Sequence, residues 1–473
     1  MADDLAWLDA TAQAELVRKG DISPLELVEA AIGRIEKVDT ELNSVIHHTF
    51  DKAIAAAKSA QLPNGPFRGV PFLVKDLYAG TEGDPMHNGT QVLKDANYVA
   101  PYDSWLVQRY RRAGFVITGR TNTPEFGLVP TTEPASHGAT HNPWNVAHTP
   151  GGSSGGSAAA VSAGLVPVAH ASDGGGSIRI PASMCGLVGL KVTRGRITLG
   201  PDGDESLVSV HNVVTRSVRD TAAVLDATHG PGPGDAAIAP PPARPYVDEL
   251  QSDPGVLRVG LMATSPAGAL HRDCERAVRN AAALLERLGH HVEESHPAVL
   301  DDPSTAQTFG ARWCVQALRT LSATGQLVGR PLTADDVEPI TWIMAEAGKG
   351  FSGLDYANAM SASAAFTRKV AGWWDGGFDL LLTPTLGAPP PKLGELLNAE
   401  GGAQRVAELV PYTTHFNVTG QPAISLPLHW NDDGLPIGVQ LAAAHGREDL
   451  LIRIAAQLEA AAPWAGRRPP VSA

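Results

Sequence analysis

Cysteine is scarce in this sequence, which has only three in 473 residues: Cys185, Cys274 and Cys314. They lie far apart, are odd in number and form no C-x-x-C pair, which argues against a disulfide framework and against a structural zinc site. Isolated cysteines of this kind usually pack as small buried hydrophobes. We expect no bound metal and no cofactor.

Charged residues are also few, at 18% of the chain, and acidic ones outnumber basic ones, so the formal net charge is −13. The basic residues are dispersed, without the patches that phosphate groups select, so neither nucleic acid nor a membrane is an expected partner. No run of 18 apolar residues occurs, and the opening MADDLAWLDA has no charged-then-apolar signal pattern. These absences predict a cytoplasmic protein.

Apolar residues, in contrast, make up 43% of the chain, which is enough to bury a sizeable core. Near the N-terminus, Ser23-Pro24-Leu25-Glu26 combines a capping box with proline at the first helical position and predicts a helix start. From about Phe67, short apolar runs predict buried strands over 69–76, 115–119, 256–261, 379–385 and 423–427, the last two closed by proline. Helical patterns at 104–113 and 274–288 lie between them, so the sequence predicts an α/β fold with a sheet between helices.

The domain count is open at this point, because 473 residues suit either two to four ordinary domains or one large α/β domain. The segment 230–246, GPGPGDAAIAPPPARPY, is a linker between domains or a surface excursion from a single sheet. A second stretch rich in glycine and serine, 149–181, contains helical and apolar runs, so we expect it to be packed and to carry a site.

Three glycines directly precede a serine in Gly174-Gly175-Gly176-Ser177. Glycine allows a tight turn and a close ligand approach, and successive backbone N–H groups can then converge on the oxyanion of a tetrahedral intermediate. Ser177 is thus a candidate nucleophile. Ser153 lies in a second glycine-rich loop, and Lys75 ends an apolar strand. A lysine can act as a base only when neutral, and burial can lower its pKa by roughly 3 to 5 units.

These loops resemble the amidase signature. The match consists of 151–157, GGSSGGS, and 173–182, DGGGSIRIPA, with Lys75 upstream in PFLVKD; 78 residues separate Lys75 from Ser153, and 24 separate Ser153 from Ser177. Similar segments recur at 119–126, 142–145, 189–191, 416–423 and 434–440. The stretches 11–20 and 131–134 resemble the bacterial branch that contains aminohexanoate cyclic dimer hydrolases.

The resemblance implies one large mixed sheet sandwiched between helices. It implies a helical segment, 1–66, packed on an amidase signature domain, 67–473, as one unit whose triad core is 67–200. It also implies that Ser177 attacks a small carboxylic amide, that Ser153 relays the proton to neutral Lys75, and that the amides of Gly174, Gly175, Gly176 and Ser177 hold the oxyanion. Ser153 follows a cis peptide in similar proteins. The family often has Ile or Thr where this chain has Gly174.

Several alternatives remain open from the sequence. The motif G-x-S-x-G around Ser153 could be the nucleophile elbow of an α/β-hydrolase, although His148-Thr149-Pro150 is a poor strand. The same triad would also suit the glutamine-hydrolysing subunit of a tRNA-dependent amidotransferase. His137, His141 and His170 lack metal-ligand spacing and are interpreted as structural. Substrate contacts are predicted at Leu128, Trp313 and Cys314, the substrate being a linear, aryl or cyclic small amide, and a homodimer is a further expectation.

Overall fold

One eleven-stranded mixed sheet runs through the protein, as seen in a computed structural model that describes residues 2–203, 208–302 and 304–473, without the side chains of 2–4 and 304–308. Its strands are β1 (Val45–His48), β2 (Pro71–Lys75), β3 (Val116–Thr121), β4 (Val168–Asp173), β5 (Val188–Lys191), β6 (Val210–Thr215), β7 (Arg258–Leu261), β8 (His291–Glu294), β9 (Leu380–Pro384), β10 (Ala423–Trp430) and β11 (Pro436–Ala443). Their spatial order is β1-β3-β2-β4-β6-β5-β10-β11-β9-β7-β8.

Helices cover both faces of this sheet. They are α1 (Ala2–Trp7), α2 (Ala10–Lys19), α3 (Pro24–Leu42), α4 (Phe50–Lys58), α5 (Gln91–Asp95), α6 (Trp105–Arg112), α7 (Gly155–Ser162), α8 (Arg179–Cys185), α9 (Val218–Thr228), α10 (Arg272–Arg287), α11 (Ser304–Leu327), α12 (Pro339–Lys349), α13 (Gly353–Trp374), α14 (Gly402–Leu409), α15 (Thr414–Thr419) and α16 (Glu448–Ala461). The predicted α/β fold is confirmed. None of the helices in the described ranges has the length and apolarity needed to span a membrane.

The alternation of side chains along β2 shows why two helical layers are needed. Phe72 and Val74 pack into the core formed with α6, α9, α10 and α16, whereas Leu73 packs into the core of α3, α7 and α8. Successive residues of a strand point to opposite faces, so a strand that is apolar at every position must be covered on both sides. By the same period of two, Lys75 shares the Leu73 face, where α7 and α8 lie.

Helix starts and strand ends predicted from the sequence can be compared with the structure. Ser23 caps α3 in a complete capping box with Glu26, as the sequence predicts. One strand differs: β10 continues past Pro427, with a shift of register between Leu426 and His429, whereas the sequence closes it at that proline. Proline has no N–H to donate, so it is tolerated within a strand where the pairing is irregular.

The segment 1–66 is more than a helical cover on the sheet. Its strand β1 pairs antiparallel with β3, with Val45 opposite Thr121, and so forms one edge of the common sheet. The fold is a single α/β domain, while the boundary between 1–66 and 67–473 stays a prediction. The segment 230–246 contains no helix or strand of the sheet and connects α9 to a short 3₁₀ turn at Tyr246–Glu249.

Candidate active site

Lys75 ends β2, a central strand with parallel neighbours on both sides, and its side chain is fully buried. Its Nζ donates to Ser153 Oγ at 2.7 Å and to Ser172 Oγ at 3.0 Å. The structure therefore brings together two of the three predicted catalytic side chains and adds Ser172, which the sequence did not single out.

Burial lowers the pKa of Lys75 well below its ordinary value, and the negative charge of Asp173 opposes this only in part. The physical cause is the loss of water around an ammonium group, which forms no ion pair with a carboxylate among the described residues. The neutral amine is thus favoured, as a base for a serine hydroxyl requires.

Ser153 follows a cis peptide bond from Gly152 and is almost fully buried. The helix α7 begins two residues later, but residues 149–152 before it form a loop with no strand. The nucleophile elbow of an α/β-hydrolase needs a strand directly before the serine, so the alternative with Ser153 as nucleophile is excluded.

Ser177 lies in the turn between β4 and α8, and hydrogen bonds to the Asp173 carboxylate hold this turn in place. Asp173 Oδ1 accepts from Gly176 N at 2.7 Å, and Asp173 Oδ2 accepts from Ile178 N at 3.2 Å. Gly176 has φ 132°, and a Cβ there would lie 2.5 Å from the Thr413 hydroxyl oxygen, so only glycine fits. The turn leaves Ser177 9% exposed, facing a cavity.

The four backbone N–H groups predicted to bind the oxyanion differ in whether they already donate a hydrogen bond within the protein. The N–H of Gly176 is engaged by Asp173. Those of Gly174, Gly175 and Ser177 donate to no acceptor within the described part of the chain. Three of the four amides therefore have no acceptor in the described part of the chain, and two of these three belong to residues that line the cavity, Gly174 and Ser177.

A buried ion pair supports the whole turn. Arg179 Nε and Nη2 donate to the two oxygens of Asp173 at 3.0 and 3.1 Å. Two further bonds, both of 2.7 Å, run from Nη1 to Gln440 Oε1 and from Nη2 to Asn417 Oδ1. Burial by itself raises the pKa of Asp173, but the charge and hydrogen bonds of Arg179 lower it to about 2. Arg179 therefore ties the loop of Ser177 to α15 and β11.

We expect Arg179→Met to destabilise the protein by about 3–5 kcal/mol, because it leaves the Asp173 carboxylate charged, buried and unpaired. Urea unfolding at pH 7 measures this. The matched control is Arg279→Met, which removes an exposed pair with Glu275 and should cost less than about 1 kcal/mol. Equal losses in the two variants would contradict the role given to the buried pair.

A cavity lies in front of Ser177 and Ser153, and both residues line it. Leu128 and Trp313, two of the three predicted substrate contacts, line it, and Trp313 Nε1 donates to the Leu128 carbonyl at 3.1 Å. Cys314 follows Trp313 on α11 but does not line this cavity. A Cβ on Gly174 would lie 3.1 Å from the Trp313 ring, so the glycine makes room for the indole.

Sequence reasoning missed several lining residues, which are Leu77, Tyr78, Phe126, Gly127, Ser172, Val208, Ser209, His211, Phe309, Arg312, Gln316, Thr320 and Tyr356. One signal was available for Ser172, since β2 and β4 are adjacent parallel strands and their carboxyl ends meet at one edge of the sheet, where ligands bind. The residues of α11 and α13 carry no such signal. Among the residues described, no group of three metal-ligating side chains borders this cavity.

Comparison with known proteins gives three findings. The family model described as Amidase matches residues 26–452. A 6-aminohexanoate-cyclic-dimer hydrolase of Paenarthrobacter ureafaciens is 47% identical over 478 residues, covering 98% of this chain and 96% of that protein. The structure of 6-aminohexanoate cyclic dimer hydrolase complexed with substrate has a TM-score of 0.95 at 46% identity and covers 98% of this chain and 99% of that one.

A more distant structural neighbour is a component of the glutamyl-tRNA(Gln) amidotransferase of Thermotoga maritima. It is 26% identical, has a TM-score of 0.78 and covers 99% of each chain. The difference in identity and in structural overlap from the hydrolase is large, so the similarity favours an independent hydrolase over a transferase component.

Proposed function

This chain belongs to the amidase signature family, and from that premise we propose that it cleaves a small carboxylic amide into a carboxylate and ammonia or an amine through an acyl-enzyme on Ser177. The protein is a hydrolase of amide C–N bonds. The observation that carries the residue assignment is the 2.7 Å contact between Ser153 Oγ and Lys75 Nζ, a fully buried amine. It supports Lys75 as the base and Ser153 as the proton relay.

In the proposed first step, Ser177 Oγ attacks the amide carbonyl carbon while its proton passes to Ser153 Oγ and the Ser153 proton passes to Lys75 Nζ. The carbonyl oxygen becomes an oxyanion, which the amides of Gly174, Gly175 and Ser177 stabilise. Fixed donors in a site that excludes water lower the barrier more than mobile water does. Ser172, the second acceptor of Lys75 Nζ, holds the amine in line with Ser153.

In the second step, Lys75 and Ser153 return the proton to the leaving nitrogen, so the C–N bond breaks and an ester on Ser177 remains. Water then attacks the ester carbonyl carbon and gives its proton to Lys75 Nζ along the same path. The bond between this carbon and Ser177 Oγ breaks, the proton returns to Ser177 Oγ through Ser153, and the carboxylate is released. The general acid and general base are therefore one group used twice. No metal or cofactor enters either step.

The substrate is proposed to be a small, largely apolar amide. Sites for small molecules are concave and mostly apolar, and the cavity in front of Ser177 has largely apolar walls. Its walls include the side chains of Leu77, Phe126, Leu128, Phe309 and Trp313. Leu128 and Trp313 remain the proposed substrate contacts, whereas Cys314 does not line this cavity and stays a prediction from the sequence. The named relatives make the cyclic dimer of 6-aminohexanoate the first compound to test.

A hydrolysis panel tests this proposal. Purified protein should release amine from the cyclic dimer, from short aliphatic amides and from anilides without any partner chain. Free glutamine and long peptides should be hydrolysed at least tenfold more slowly at equal concentration. A protein that is inert on all small amides but releases ammonia from glutamine once a partner protein is added would instead support the transferase.

The remaining proposals concern the cellular location of the protein and its binding partners. A cytoplasmic location is supported by three cysteines that form no disulfide, two of them buried. A homodimer, and the absence of nucleic-acid and membrane partners, stay predictions.

A further inference from the structure

Three histidines from distant parts of the chain lie together outside the active-site cavity: His47 on β1, His87 in the loop after β2, and His137 in the loop before α7. Their ring centroids are 4.4 Å apart for His47 and His87, 5.2 Å for His47 and His137, and 5.5 Å for His87 and His137. One nitrogen of each ring lies within 4.8 Å of the other two.

The nitrogen positions suit a shared ligand. His87 Nδ1 and His137 Nε2 are hydrogen-bonded to each other at 3.3 Å, a bond that a shared metal ion would replace. Two nitrogens bound to a tetrahedral zinc ion at about 2.0–2.1 Å are also roughly 3.3 Å apart. The third nitrogen lies within 4.8 Å of these two, so it would need to approach them by up to about 1.5 Å.

His47 provides a second, independent observation. Its side chain is 10% exposed, and its Nε2 atom is buried without a hydrogen-bond partner in the described part of the protein. A buried polar atom without a partner costs stability, and a bound ion is one group that can supply the missing interaction. The unpaired atom faces the Asp76 carboxylate at 3.9 Å, too far for a hydrogen bond.

We propose that His47, His87 and His137 form a site for one divalent transition-metal ion of the zinc or copper class. Neutral imidazole is the preferred protein ligand of these ions, whereas magnesium and calcium require oxygen ligands. Three imidazoles leave a further position for water. The site is separate from the serine chemistry, and no step of amide hydrolysis depends on it.

The surroundings supply both a supporting and an opposing charge. Asp76, the residue after Lys75, accepts from the backbone N–H of His87 and from Arg120 Nε at 2.9 Å, so it holds one ligand loop in place. Lys94 opposes a cation: its ammonium donates to the Ser136 carbonyl near the same rings.

Burial is the main cause that keeps these imidazoles uncharged, and the charge of Lys94 adds to it. The pKa of His47 is lowered to about 3, that of His137 to about 4, and that of His87 in the same direction. Neutral rings offer lone pairs at neutral pH. The positive charge of Lys94 means that binding depends on the strength of the metal–nitrogen bonds rather than on long-range attraction.

The test is metal titration of the full chain after treatment with a chelator. We expect one equivalent of Zn²⁺ to bind by calorimetry and to raise the thermal unfolding midpoint, since the ion joins three segments of the chain, and Mg²⁺ to do neither. Cu²⁺ should give an electron paramagnetic resonance spectrum with nitrogen hyperfine splitting. Absence of saturable Zn²⁺ binding by the wild-type protein would overturn the proposal.

Variants locate the site. His47→Ala and His137→Ala should weaken Zn²⁺ binding at least tenfold, whereas His48→Ala, which removes the exposed neighbour on β1, should leave it unchanged. Lys94→Met should tighten binding several-fold. His137 is half-buried in a loop, so its variant provides the test even if His47→Ala fails to fold. Unchanged affinity in His137→Ala would place the metal elsewhere and reject the assignment.

Discussion

Ser177→Ala should abolish the covalent acyl-enzyme and lower kcat by roughly 10⁴- to 10⁶-fold, the range seen when a serine nucleophile is removed from a triad. The reason is chemical: alanine has no oxygen to form the ester, while the cavity and the amides around it remain. Intact-protein mass spectrometry after mixing with a slowly hydrolysed amide or ester measures the adduct, and steady-state kinetics measures the rate.

The control for this experiment lies in the neighbouring loop. Ser154 is also a buried serine of the glycine-rich segment, but its hydroxyl donates to the Ser172 carbonyl at 3.2 Å and does not line the cavity. Ser154→Ala should keep the adduct and lose about 1 kcal/mol of stability. An adduct that persists in Ser177→Ala would identify a different nucleophile.

Lys75→Met should lower kcat by roughly 10²- to 10⁴-fold, as expected for loss of a general base, and leave the protein folded. It should also change how stability depends on pH. The pKa of Lys75 is lower in the folded state than in the unfolded chain, so between these two values the unfolded state binds one more proton. The wild-type free energy of unfolding therefore rises with pH in that window, by up to about 1.4 kcal/mol per pH unit from this group.

Urea unfolding at pH 7, 8 and 9 measures this slope, which should be smaller in Lys75→Met than in the wild-type protein. Lys191→Met is a matched control, since Lys191 is also fully buried with a lowered pKa, but its Nζ donates to the carbonyls of Val192 and Gln421. That variant should reduce the slope yet retain amidase activity. A Lys75→Met protein with an unchanged slope and near-full activity would contradict a neutral catalytic lysine.

Some features of this fold depend on residues close in sequence, and others depend on residues far apart. The strand before Lys75, the capping box of α3 and the turn before Ser177 were predictable, because each depends on residues within a few positions. The continuation of β10 past Pro427 was not, since the pairing of a strand is decided by its partners. Strand β1 was missed for the same reason: it is only four residues long and is held at the sheet edge by β3.

The site shows the same division. Ser177, Ser153 and Lys75 could be selected from motifs, whereas Ser172 needed the adjacency of β2 and β4. The Gly176 N–H differs from its neighbours because the Asp173 side chain lies close enough to accept from it. The three histidines meet only because β1, the loop after β2 and the loop before α7 converge.

The sequence alone determined the chemical groups of this protein and the turns that present them, because glycine runs and strand-ending residues act through local backbone geometry. Only the tertiary structure decided that burial lowers the pKa of the Lys75 amine and that this amine touches a hydroxyl 78 residues away. Burial and contact are properties of the whole fold: they arise when β3, β4 and α7 surround one side chain and exclude water from it.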